Sequence, residues 1–350
     1  MASVVVVAVV AGPVAVAASV DLVVALVAVE APAEVGNSIE NYFMRYLHVL
    51  NGDSALTLFR QSEVSGEIII CREMMCEGKV KYTNNLSAFF ESRAKHLQYH
   101  YGIDRKTYYS HVVRELEKMV FFASSTDEIV LWFEYDLFSQ VNLLFILHFI
   151  ANSLFDKQLP ISIVDLPHHP TAEDLPKALN KRILLQSDDL ALAADIWDAW
   201  CMDTPMLLET ISKMSTGNLK YIPAAITAHL KRFPDAVTGL SIIESYFLLQ
   251  LALGSYRWYE LYMLFWRDLE IYGFSNFQLD VLVHRMVDAG VIDEREQLLI
   301  ITSLGQEVLD EQENYLDYVS LEHRWLGGVR LSTTPWRWDQ SRNTLVEVEK

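Results

Sequence analysis

Tyr46-Leu-His-Val-Leu50 runs directly into Asn51-Gly52-Asp53-Ser54. A short apolar run that stops at a polar, Gly-containing turn reads as a buried strand ending at a loop. The same ending recurs twice, where Glu67-Ile-Ile-Ile-Cys71 stops at Arg72-Glu73 and Glu128-Ile-Val-Leu-Trp-Phe133 stops at Glu134-Tyr135-Asp136. Helical lengths separate the runs, at 54–61, 86–101 and 106–119, and another follows at 138–154. A fourth run, Ile161-Ser-Ile-Val164, ends at Asp165-Leu-Pro-His-His-Pro170. Short apolar runs alternating with helices predict a mostly parallel sheet covered on both faces. Residues 44–170 are therefore expected to form a doubly wound α/β domain, whose ligands would sit at the carboxyl edge of the sheet.

The remainder reads differently on either side. Beyond Pro170 the pattern is helical: Ser187-Asp-Asp opens one helix, Thr204-Pro205 another, and two more fall at about 221–233 and 241–253. Apolar residues at 279, 282, 283, 286 and 287 mark a helix closed by Gly290, and Leu298 to Leu309 reads as a wing strand running into a last helix. Residues 171–320 are thus expected to be an α-rich domain with a winged-helix-like module. A Trp-rich segment, 321–350, follows, with Trp325, Trp336 and Trp338 expected to close a hydrophobic seam. Residues 1–43 contain no Lys or Arg, and their uncharged Val/Ala run is broken by Gly12-Pro13. They read as a leader outside the folded core, an extension or a misassigned start, in preference to a membrane span or export signal.

Composition narrows the function. A formal charge of -18 over 350 residues argues against whole-surface binding to nucleic acid or anionic lipid, which require a positive face. Cys71, Cys76 and Cys201 lack the pattern of a disulfide framework or a zinc site, which implies a reducing, cytoplasmic setting. Neither a phosphate-binding Gly-rich loop ending in Lys-Ser/Thr nor a dinucleotide Gly-x-Gly-x-x-Gly is present.

The strand-end acids are the first candidate site. Asp53, Glu73, Glu134 and Asp136 would converge if their strands are neighbours, and Asp53, Glu134 and Asp136 in particular form a hard-oxygen set suited to Mg²⁺ or Mn²⁺. Arg72 and Lys79 would clamp a phosphate, with Asn51, Gly52, Ser54, Glu73, Glu77 and Gln140 completing a site for a phosphate-bearing small molecule or nucleotide. The simpler role for these acids is helix capping, with Asp136 opening the helix at 138 and Ser54 acting as an N-cap. Gly52-Asp53-Ser54 with Asp165-Leu-Pro-His168 also has the form of the Gly-Asp-Ser hydrolases, in which Ser54, His168 and Asp165 would be a triad, but no oxyanion block accompanies it. Arg93 to Lys118 forms a basic, aromatic island that reads mainly as the solvated sides of two amphipathic helices, and His96 and His100 lie four apart on one of them. The 275–289 helix carries Asp280 and Asp288 against His284 and Arg285, so the winged module is expected to dock a protein partner, in a regulatory role, in preference to DNA.

Several stretches carry a resemblance. Leu47-His-Val-Leu-Asn-Gly-Asp-Ser54, Cys76-Glu-Gly78, Leu131-Trp-Phe-Glu-Tyr-Asp-Leu-Phe-Ser-Gln140, Arg324-Trp-Leu-Gly-Gly-Val-Arg-Leu331 and Trp336-Arg-Trp-Asp339 are similar to the domain of unknown function 1835 proteins of bacteria. From Met44 to Asp339 the chain resembles that family. The resemblance implies a bacterial, cytoplasmic protein that starts near Met44, and it assigns no residue a role.

Overall fold

Alternation along each strand decides which side of the sheet every helix covers. In the computed structural model, which describes residues 44–83 and 85–348, β1 (Tyr46–Asn51) leads through α1 (Asp53–Gln61) to β2 (Glu67–Cys71). The chain continues through α2 (Leu86–Tyr101), α3 (Arg105–Tyr108), a π-helical turn at Tyr109–Val113 and α4 (Arg114–Phe122) into β3 (Glu128–Trp132). Then come α5 (Leu137–Ser153), β4 (Ile161–Ile163), α6 (Asp174–Asn180) and β5 (Ile183–Leu184). The five strands form one sheet in the order β2-β1-β3-β4-β5, parallel except for β5.

Leu47 and Val49 of β1 and Ile129 and Leu131 of β3 bury against the core that includes α2, α4 and α5. Leu50, Val130 and Trp132 point the other way, onto Phe59 of α1 and Leu175 and Ala178 of α6. Helices cover both faces, as the apolar runs predict. Residues 1–43, where the leader was expected, lie outside the described residues.

Next come α7 (Ser187–Cys201), α8 (Met206–Ile211), α9 (Ile222–Leu230), α10 (Ile242–Leu253), α11 (Trp258–Asp268) and α12 (Asn276–Asp288). An antiparallel hairpin, β6 (Ile292–Arg295) and β7 (Leu298–Ile301), precedes α13 (Ser303–Leu309). Two further hairpins finish the chain: β8 (Trp325–Leu326) with β9 (Val329–Arg330), and β10 (Trp336–Asp339) with β11 (Thr344–Glu347).

Packing does not pause near residue 170 or 320. One core runs from β1 to Leu345, α5 packs on α7 and α9, and β11 packs on α8. The residues from Met44 onward make one compact unit. Trp338 is buried, and its strand bridges to Asp235. Among the described residues no helix is long and apolar enough to cross a membrane.

Candidate functional site

The strand order creates a switch point between β1 and β3. From β1 the chain passes to β2 through α1 on one face, whereas from β3 it passes to β4 through α5 on the other, and such a divergence opens a crevice at the strand ends. Here side chains fill that crevice. Asn51 Nδ2 donates to Ser139 Oγ at 2.8 Å, and Ser139 Oγ donates to Asp136 at 2.8 Å. Asn142 Nδ2 donates to Asn51 Oδ1 at 2.9 Å and to the Glu73 carbonyl at 2.7 Å, while its own oxygen accepts from the Met75 amide at 3.1 Å. The network is buried except at half-buried Asn51, and its groups are matched, which suits a seam that holds the exit loop of β2 against α5.

The expected carboxylate cluster does not assemble. Asp53 makes a two-pronged pair with Arg72 at 2.7 and 2.8 Å, on the exposed rim. Glu73 is fully buried, paired with Arg93 at 2.9 Å and bonded by the Tyr108 hydroxyl. Asp136 caps α5 by accepting from the Ser139 amide at 2.9 Å, and Gln140 Nε2 donates to the carbonyl of exposed Glu134 at 2.6 Å. Asp53 and Asp136 are drawn to local partners of their own, and Glu134 meets Gln140 only through its backbone carbonyl, so the three do not gather as a Mg²⁺ or Mn²⁺ set. Among the described residues no three His, Cys, Asp or Glu side chains gather as ion ligands.

Two further expectations change. Helix α1 begins at Asp53 with Gly52 as its N-cap, at φ 85°, so Ser54 is an exposed first-turn residue and caps nothing. Asp165 pairs with Lys220 at 2.6 Å and with the Tyr221 hydroxyl, whereas His168 lies against the Tyr135 ring, 3.8 Å from Glu270. Ser54, His168 and Asp165 therefore form no proton relay. Within the basic island, Arg93 is no solvated side chain but the fully buried partner of Glu73.

Space lies one step further along the β2 exit loop, at Glu77 and Gly78. A cavity of about 60 Å³ is bounded by these residues, by His96 and His100 of α2, by Arg285 of α12, and by Arg232, His323 and Arg324 from connecting segments. A water needs roughly 10–15 Å³ on this measure, so the space takes a small polyatomic ion. Arg232 donates to the Cys76 carbonyl at 2.7 Å and to Glu77 at 2.6 Å. Arg285 and Arg324 share a single carboxylate, Glu244 Oε1, at 3.8 and 3.5 Å. Glu244 is itself committed to the N-terminus of α10, where Oε2 accepts from the Ser241 amide at 2.7 Å.

Three arginines thus meet two carboxylates, and the excess positive charge gathers around a partly open space. Burial first, and nearby cations second, set the charge state of the surrounding groups. Burial, reinforced by Arg285, brings Arg324 down to about 10. Burial, with Arg93, His100 and Lys79 adding to it, pushes His96 down to about 2, and burial with Arg285 also lowers His100. The imidazoles are neutral donors or acceptors at pH 7, and the arginines supply the charge. Such a site fits an oxyanion, since guanidinium groups offer forked donors matched to its oxygens.

Of the residues expected from sequence, Glu77 lines this cavity, and Lys79 stands outside it with its ammonium 5.4 Å from the centre of the Trp325 ring. Arg232, Arg324, Glu244 and His323 were not foreseen as ligand groups. Arg324 had a signal, since it opens the Arg324 to Leu331 stretch singled out for its resemblance. Compared with known proteins, the chain matches no family model, and no curated protein matches it.

Proposed function

We propose that this protein binds a phosphate-bearing small molecule, with a phosphoryl group seated among Arg232, Arg285 and Arg324. The observation that carries the reading is the sharing of Glu244 by Arg285 and Arg324 beside a cavity of ionic size. Two half-buried cations that share one buried carboxylate are under-neutralised, which is costly, and an entering oxyanion relieves that cost. The strand-end location expected from sequence shifts by one loop, from Asp53 and Glu134 to Glu77. In this reading α10, α11, α12 and the β6–β7 hairpin form a winged-helix-like module whose third helix, α12, turns Gln278 and Arg285 toward the cavity and away from any DNA groove. The resemblance to the domain of unknown function 1835 proteins adds a bacterial, cytoplasmic setting.

The test is thermal unfolding of the full chain in inorganic phosphate against chloride at matched ionic strength, with a chelator present. At ten times the dissociation constant, stabilisation of about 1.4 kcal/mol and a rise of about 2–4 °C are expected. Arg285→Gln should reduce that rise by at least half. An equal response to phosphate and chloride would sink the reading.

A further inference from the structure

The arginine cavity does not close on itself. His96, His100, His323 and Trp325 line it and also line an adjoining space of about 260 Å³, in which Lys79 and Lys95 take part. The four shared residues are a throat between an inner and an outer compartment. A second adjoining space, of about 280 Å³, is lined by Arg285 and Arg324 of the inner cavity together with Asp288, and adds no further cation. Only the first space adds positive groups beyond those of the inner cavity, so an anionic chain leaving the arginines would gain new partners on the lysine side.

What the lysines do there is unusual. Lys79 and Lys81 both stand over the Trp325 ring, each 5.4 Å from its centre. Two ammonium groups on one indole repel each other, and the ring quadrupole attracts each by only a modest amount. Lys95 has Glu91 at 3.2 Å, but among the described residues neither Lys79 nor Lys81 has a carboxylate within 4.0 Å. In a chain of net charge -18, Lys79, which lines the outer space, and Lys81, exposed at the same indole ring, are left without acidic partners and mark a place for a second anionic group. A single phosphate among the arginines would leave them unused.

Resting on the phosphate reading above, we propose that the ligand carries a diphosphate: one phosphoryl group lies among Arg232, Arg285 and Arg324, and the next lies past the histidine throat, held by Lys79 and Lys81 beside Trp325. The rest of the molecule, a nucleoside or other organic group, extends into the outer compartment. No bond is made or broken in this step.

Isothermal titration of the full chain with inorganic phosphate and with inorganic pyrophosphate decides the matter. Pyrophosphate is expected to bind at least about tenfold more tightly than phosphate. In a chain with both Lys79→Met and Lys81→Met, the two constants should come within about threefold of each other. Equal affinity for the two ions in the unaltered chain would overturn the diphosphate step while leaving the arginine cavity as a phosphate site. A pyrophosphate advantage that survives both lysine substitutions would overturn it as well, by taking Lys79 and Lys81 out of the contact. Failure of both ions to bind would instead remove the arginine reading itself.

Discussion

His48 shows how a polar residue can be read correctly as part of a strand and still hide a property. It sits mid-strand in β1, fully buried on the α1 face, with Nε2 3.1 Å from the Ser65 carbonyl and Nδ1 accepting from Trp132 Nε1 at 3.1 Å. Burial pushes its pKa from 6.5 down to about 4. The unfolded chain therefore takes up a proton near pH 6.5 that the folded chain refuses until about pH 4, so His48 has no effect on stability above that window and removes stability as pH falls through it. A difference of this size is worth about 3 kcal/mol. Urea midpoints from pH 7 to pH 4.5 should fall less steeply for His48→Gln than for the unaltered chain. Parallel pH profiles would show that His48 takes up its proton equally readily in the folded and unfolded chains.

At the scale of elements, the exit loop of β2 connects the seam to the cavity. Arg93 secures its middle by donating to the Met74 and Glu77 carbonyls at 3.0 and 2.6 Å, and Arg232 secures its end. Gly78 adopts φ 78°, and a Cβ there would fall 1.8 Å from His96 Nε2. Gly78→Ala is expected to cost at least about 1 kcal/mol, from strain and from displacing His96. Denaturant unfolding would read the first effect and phosphate titration the second, and a variant equal to the parent in both would disprove the tight fit. The strands and α2 were legible because their patterns are local: β1 and β2 stand where their apolar runs stand, and α2 covers the residues its helical stretch covers. Ser54 misled because a Gly with positive φ took the cap two residues earlier, which no hydroxyl preference reveals. The helix over 106–119 contains a π-helical turn, and nothing in its periodicity announced it. Arg232, Arg285 and Arg324 were not legible as a group, because each is ordinary locally and only tertiary packing brings them together.

For the whole molecule, the unbroken core has a thermodynamic counterpart. A boundary near residue 170 was expected from the change in texture between alternating strands and helices, yet α5, whose pattern belongs to the first part, is packed by α7 and α9 from the second. Composition reports which elements form and does not report where they dock. Calorimetry of the full chain is expected to give a single transition from the residues beyond Met44, moving as one when phosphate is added. Two transitions, of which phosphate moves only one, would show that the helical part unfolds by itself.

The walls of the arginine cavity are also ordered in time. Glu77 and His96 leave the ribosome early, Arg232 and Arg285 later, and Arg324 only after more than nine-tenths of the 350 residues have been joined. A growing chain can therefore complete its sheet well before it can hold an anion. Chains that stop short of Arg324 leave Glu244 with Arg285 alone and lack the charge excess, so under the phosphate reading they are expected to show no stabilisation by phosphate.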